Sequence, residues 1–196
     1  MTTTVRTTQG GMNVPAIERS FSDRLPELIY LDTDIAIVYL INTEPHHDRA
    51  RRFLRRIAQD GRSSLLTSSL TWLEYASVVM KAGFRGRLPA DVQRRFQMSR
   101  WNESAIRRRY LESQLAALDG LLDQFSWYEI SLSPEIRMEG LQLVAQANLR
   151  PYDAIHAASA RAAGGADLAS FDEAFRRVDG LVLWNDHIHA GKSVRG

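Results

Sequence analysis

The 196-residue chain is 44% hydrophobic and 24% charged, with a net charge of +2 and no cysteine. That size and balance describe one globular domain able to bury its own core, and the missing cysteines exclude a disulfide framework, a zinc–thiolate site and a cysteine nucleophile. No uncharged apolar run reaches the roughly 18 residues that a membrane span needs, and the opening MTTTVRTTQGG lacks the apolar stretch of a signal peptide, so a cytoplasmic protein with no membrane partner is expected.

Residues 1–26 are rich in Thr and Gly, show no periodicity, and are expected to form a flexible leader. Leu28–Leu31 is a short apolar strand that ends abruptly in Asp32-Thr33-Asp34, and Ile35–Ile41 begins a helix. Thr43 and Pro45 mark the start of the next helix, by the rules for caps and first-turn proline. That helix, about 45–59, carries Ala50, Phe53, Leu54 and Ile57 on one face and Arg51, Arg52, Arg55 and Arg56 elsewhere. Gly61 stops it. Ser64–Thr67 is a second strand. Ser68 or Ser69 caps a helix from Leu70 to about Ala82, whose expected buried stripe is Leu70, Leu73, Ala76, Ser77 and Met80. Gly83 and Gly86 break it, and residues 90–125 read as two Arg-laden helices. Residues 49–109 carry a net +11, whereas 1–48 carry −4 and 110–189 carry −7; 23 of the 25 basic residues are Arg. This segregation suits a polyanion whose phosphates match the guanidinium fork, or simply a set of solvated helix faces.

Trp127–Leu132 has strand character, and Ser133-Pro134 opens a helix to about Asn148. Arg150-Pro151 is a boundary, because a residue before proline avoids the helical region. Tyr152–Ala163 is an Ala-rich helix closed by Gly164-Gly165; Ala166–Ala169 is a short strand, Asp172–Arg177 a short helix and Leu181–Leu183 a last strand, followed by a tail at 187–196. Short strands alternating with helices imply an α/β fold in three layers, α/β/α, with a central, mainly parallel sheet of about five strands.

Four carboxylates stand where a carboxylate is locally awkward. Asp32 follows an apolar strand, Glu74 lies inside the apolar helix segment Trp72–Ala76, Asp153 opens the apolar helix after Pro151, and Asp172 follows the strand at 166–169. Each has an ordinary explanation: a turn for Asp32, the helix dipole for Asp153, an N-cap for Asp172. Glu74 has the weakest, since its neighbours are apolar on both sides. Together they predict one crevice at the strand ends of a parallel sheet. Their mutual repulsion there is relieved by a divalent cation, and all-oxygen ligation suits Mg²⁺, or Mn²⁺ as the alternative.

The runs Ile29–Asp34, Leu73-Glu74-Tyr75, Tyr152-Asp153-Ala154-Ile155-His156-Ala157-Ala158 and Leu168–Asp172 resemble, in type and order, the PIN-domain nucleases, most of all the VapC-type toxins of bacterial toxin–antitoxin pairs. The resemblance covers about 28–184. It implies a PIN-like domain at 27–186, and the 79-residue separation of Glu74 from Asp153, long for a minimal member, suggests a helical insertion at about 84–125. It also implies a catalytic, metal-binding set of Asp32, Glu74, Asp153 and Asp172, with a supporting hydroxyl at Ser170, where Thr is usual. Asp34 stands where such proteins more often carry Asn or Ser, and it either adds charge to the site or points away. The expected activity is Mg²⁺-dependent hydrolysis of RNA phosphodiesters. Asp32 and Asp153 would bind the first ion, Asp172 directly or through water, and Glu74 would complete the cage or orient the attacking water. Thr33 and Ser170 would fix carboxylate rotamers. Arg51, Arg52, Arg55, Arg85 and Arg87 are candidate RNA contacts. A cognate antitoxin and a homodimer follow from the resemblance alone. His156, one turn past Asp153, is read as a packed helix histidine, with a hydrogen bond into the site as the alternative, and His46, His47, His187 and His189 as surface residues.

Two rivals stand beside this. Asp32-Thr33-Asp34 also fits a haloacid-dehalogenase-type phosphatase, but such enzymes place Thr or Val where Ala36 stands and pair a Lys with the nucleophilic Asp. This chain offers only Lys81 and Lys192. The other rival is a PIN-like fold that binds RNA without cutting it.

Overall fold

The computed structural model describes residues 15–42, 44–85, 88–165 and 167–186. Thr43, Gly86, Arg87, Ala166, the first 14 residues of the leader and the tail with His187 and His189 lie outside them. Six strands form one sheet: β1 (Ile17–Arg19), β2 (Leu28–Leu31), β3 (Ser64–Ser68), β4 (Trp127–Ile130), β5 (Asp167–Ala169) and β6 (Val182–Trp184), in the order β1-β6-β5-β2-β3-β4. Every pairing is parallel. Seven helices connect them: α1 (Thr33–Leu40), α2 (His47–Asp60), α3 (Ser69–Phe84), α4 (Ala90–Arg95), α5 (Ser104–Leu122), α6 (Pro134–Ala147) and α7 (Pro151–Ala162).

Alternation along each strand splits the core into two layers, as a period of two requires. Ile29, Leu31, Leu65, Ala169 and Trp184 face α1, α2, α3 and α5, where Phe53, Tyr75 and Leu121 are buried. Tyr30, Leu66, Leu168 and Leu183 face α6 and α7, packed on Leu143, Ala154 and Ala158. Helix ends follow local chemistry. Gly61 closes α2 at φ 65°, a left-handed turn that favours glycine. Ser133 accepts the Ile136 N–H and Pro134 occupies the first turn of α6. Asn148 ends α6 at φ 49°, a conformation that Asn tolerates better than most residues.

Two expectations are corrected. Residues 15–26 do not belong to a flexible leader. Ile17–Arg19 pairs with Val182–Trp184 as a sixth, edge strand, Phe21 stacks on Phe53 with ring centroids 4.1 Å apart, and the Arg56 guanidinium donates to the Phe21 and Asp23 carbonyls. All three residues of β1 are exposed, so no hydrophobic alternation announced it. The second correction is the phase of α3. Thr71, Tyr75, Val79 and Gly83 are buried, and Leu73 is 68% exposed. The rotation that aims Glu74 into the crevice turns Tyr75 inward and Leu73 outward.

The helical segment after α3 packs onto it. A Cβ at Gly83 would lie 2.5 Å from the Trp101 ring, and that ring also meets Phe84 and Tyr110 edge-on. Gly83→Ala is therefore expected to destabilise by about 1–3 kcal/mol through overpacking, despite alanine's better helix propensity. A drop of several degrees in thermal melting would show it.

Candidate functional site

The sheet order places β2 and β5 side by side in its middle, with connections leaving to opposite edges. This is the topological switch point, where the carboxyl ends of the strands open a crevice. Asp32 follows β2 and caps α1, its Oδ1 accepting the Thr33 N–H at 2.7 Å. Ser170 follows β5 and donates its hydroxyl to Asp32 Oδ2 at 2.6 Å. The Ser170 oxygen accepts the Asp172 N–H at 2.9 Å, and Asp172 Oδ1 caps the next turn through the Ala174 N–H at 2.8 Å. Asp153 enters from the first turn of α7, and Glu74 from α3.

Asp34 does not point away. Its Oδ2 accepts the Phe171 N–H at 2.8 Å and lies 3.0 Å from the Ser170 hydroxyl, while its Oδ1 is buried without a hydrogen-bond partner. A fifth carboxylate thus flanks the group.

Two further residues prove central. His156 is fully buried, with Nε2 2.9 Å from Glu74 Oε2 and 3.7 Å from Asp32 Oδ1. Its Nδ1 lies 2.9 Å from the Tyr30 hydroxyl, which itself donates to Ser68 Oγ at 2.8 Å. The ring's Nε2 faces the Glu74 carboxylate as a donor, and the nearby Asp32 and Glu74 charges favour the protonated ring. Thr33 Oγ1 lies 3.4 Å from the same Nε2. Arg150 is the second. Its Nε donates to Asp153 Oδ2 at 2.8 Å and its Nη2 to Asp172 Oδ2 at 2.6 Å. The available signals were spacing alone: Asp153 is three residues after Arg150 and three before His156.

Electrostatics follow from this packing. Burial pushes Asp32 up to about 6, against the pull of the His156 charge and the Ser170 bond. Burial, reinforced by Asp32, raises Asp34 well above the carboxylate range. Burial also raises Asp153, more than Arg150 lowers it. Burial alone would raise Glu74 too, but the bond and charge of His156 outweigh it and the carboxyl falls below its ordinary value. Burial opposes the His156 charge, yet the Glu74 bond and the charges of Asp32 and Glu74 overcome it, and the ring's pKa is raised.

A pH dependence results. Asp32's raised pKa contributes stability that is complete below its ordinary 3.8 and lost as pH rises through about 6. His156's contribution, complete below 6.5, is lost as pH passes its raised pKa. The opposite contribution of Glu74 fades only below its ordinary 4.5. The metal-free protein is therefore expected to melt about 2–8 °C higher at about pH 5.5 than at about pH 8. Mg²⁺ affinity should rise over the same interval as Asp32 ionises, which calorimetric titration checks.

The donor set fits a divalent cation. Ligand atoms of Asp32, Glu74 and His156 lie within 4.8 Å of one another, the buried Asp34 Oδ1 lacks a partner, and Asp153 is close enough for its charge to act on Asp32. With Nε2 of His156 engaged by Glu74, the donors left are oxygens, the set that suits Mg²⁺ or Mn²⁺.

The remaining candidates lie elsewhere. Arg51 and Arg55 border a depression with Tyr39 and Phe125, Arg52 borders another with Phe21 and Asp186, and Arg85 lines an apolar groove of about 480 Å³ with Leu40, Val92 and Tyr110. They do not form one patch around the carboxylates. Lys81 lines that same groove, away from Asp32, so it does not supply the lysine partner of a phosphatase; Lys192 lies outside the described residues. Among the described residues, no helix is long and apolar enough to cross a membrane. The family model described as PIN domain matches residues 29–181. No curated protein matches the chain.

Proposed function

The chain belongs to the PIN-domain family, and from that premise we propose that its acidic crevice is the centre of a Mg²⁺-dependent endoribonuclease, the toxin of a VapC-type toxin–antitoxin pair. One observation supports the nuclease part: at the switch point of the sheet, ligand atoms of Asp32, Glu74 and His156 lie within 4.8 Å of one another, the Asp153 charge acts on Asp32, and Ser170 links Asp32 to the Asp172 backbone. Asp32 and Asp153 would hold the cation, with Asp172 beside them. Bound there, a divalent ion neutralises phosphate charge and lowers the pKa of water. Glu74, kept anionic by His156, orients the attacking water. Ser170 and Thr33 hold carboxylate rotamers. Exposed Arg51, Arg52, Arg55 and Arg85 are the proposed phosphate contacts, so RNA affinity should weaken steeply with salt. The toxin role, a cytoplasmic site of action, a cognate antitoxin and a homodimer rest on the resemblance to VapC-type proteins.

The experiment is direct. Purified protein is incubated with single-stranded RNA and Mg²⁺, with and without EDTA. Cleavage that EDTA abolishes is the expected result. RNA binding with no metal-dependent cleavage would identify a non-catalytic module instead, and an acyl-phosphate trapped on Asp32 would identify a phosphatase.

A further inference from the structure

Arg150 stands before Pro151 with an extended backbone, φ −65° and ψ 150°, the conformation that a following proline favours. Its guanidinium bridges carboxylates of two different elements, Asp153 on α7 and Asp172 in the segment after β5. The planar fork can serve both at once, which an ammonium point charge does poorly. The Asp153 side chain is only 8% exposed but the arginine is 73% exposed, so the pair is open to water, and to a competing cation, from the guanidinium side. Its partners are also constrained. Asp172 Oδ1 is committed to the Ala174 N–H, so Oδ2 is the oxygen left for another ligand, and Arg150 holds it. On Asp153, Nε engages Oδ2 at 2.8 Å and Nη2 reaches Oδ1 at 3.5 Å. A cation that takes these oxygens competes with the guanidinium for their charge and lone pairs.

We infer that Arg150 is a displaceable internal counter-ion: it occupies the free oxygens of Asp153 and Asp172 in the metal-free protein, is expelled by the divalent ion, and is thereby released to grip the RNA phosphate. The inference rests on the nuclease function proposed above. It gives one residue two successive anionic partners. The guanidinium neutralises the crowded carboxylates until the ion arrives, then offers the same fork to a phosphate. It differs from a static strut, which would hold Asp153 and Asp172 in place for the ion, and the two roles predict opposite signs on metal affinity.

The test titrates Mg²⁺ into metal-free wild type, Arg150→Ala and Arg150→Lys by calorimetry, and follows the arginine Nε–H resonances of the wild type by NMR. The Arg150 signal is assigned by its loss in Arg150→Lys. Arg150→Ala is expected to bind Mg²⁺ about three- to tenfold tighter, the size of a lost weak competitor, while its KM for RNA rises. In the wild type the Arg150 Nε–H resonance should move from its metal-free, carboxylate-bonded position at saturating Mg²⁺. Weaker Mg²⁺ binding by Arg150→Ala, or an Nε–H unchanged at saturation, overturns the inference. So does an equal gain in affinity from Arg137→Ala, an exposed charge on α6 that tests net charge alone. A wild type that takes up no Mg²⁺ sinks the nuclease proposal as well, whereas one that binds Mg²⁺ with Arg150 unmoved sinks only the inference.

Discussion

Asp32→Asn is expected to reduce Mg²⁺-dependent RNA cleavage more than about 100-fold, beyond the 10–100-fold typical of groups that merely support a ligand. Asp32 is the carboxylate on which the others converge. It is 6% exposed, accepts from both Thr33 and Ser170, and feels the charges of Glu74 and Asp153. The variant should fold at least as well as the parent. Its amide oxygen can keep the Thr33 N–H, and the Ser170 hydroxyl can turn to Asp34, already 3.0 Å away. Because folding favours the protonated carboxyl up to about pH 6, the ionised group costs up to about 3 kcal/mol at neutral pH. A neutral isostere removes that cost. The checks are single-turnover cleavage at saturating Mg²⁺ and a metal-free melt at about pH 7.5. Retained cleavage would refute the assignment, and a large loss of Tm would refute the electrostatic account.

His156→Ala should have the largest effect on stability. It opens a cavity beneath α7, deprives Glu74 of its cationic donor and leaves Tyr30 with Ser68 as its only remaining partner among these three groups. Loss of a fully buried, doubly bonded ring is expected to cost about 3–4 kcal/mol, or about 6–16 °C in Tm for a chain this long. Cleavage at a temperature where the variant is folded should fall about 10–100-fold, the scale of a lost positioning group. His156→Gln, which keeps one donor for Glu74, should recover part of both. If His156→Gln recovers stability but no activity, the ring's charge and not its hydrogen bond is what Glu74 requires. The acid limb of the pH–rate profile distinguishes the two, because without the imidazolium the Glu74 carboxyl should rise and the limb move to higher pH.

The positions of Ser170 and Asp34 explain how five carboxylates are kept in one place. The Ser170 hydroxyl has a single proton and faces Asp32 Oδ2 and Asp34 Oδ2 at 2.6 and 3.0 Å. It can serve only one carboxylate at a time. Phe171's N–H supplies Asp34 instead, at 2.8 Å. The loop after β5 thus carries backbone and hydroxyl donors to acids that begin α1, and the parallel pairing of β2 with β5 is what aligns them.

Much of this was legible in residue order. The alternation of short apolar runs with amphipathic stretches determines a parallel α/β sheet, because each strand buried on both faces needs helices above and below it. The four acids could be named because they border or interrupt apolar segments and share one order along the chain, while the Ser170 hydroxyl was named from the resemblance to PIN-domain nucleases. What only the tertiary structure decided involved contacts without a local signal. β1 is three exposed residues whose pairing comes entirely from the β6 backbone. The buried face of α3 runs through Tyr75 and Val79 and not through Leu73, and in that phase Glu74 lies 2.9 Å from His156. His156 and Arg150 look ordinary in sequence, a histidine among alanines and an arginine before proline. They acquire their roles because the packing of α7 against the sheet brings cations to carboxylates 22 to 124 positions away, and for His156 burial makes the charges act on each other where water would have screened them.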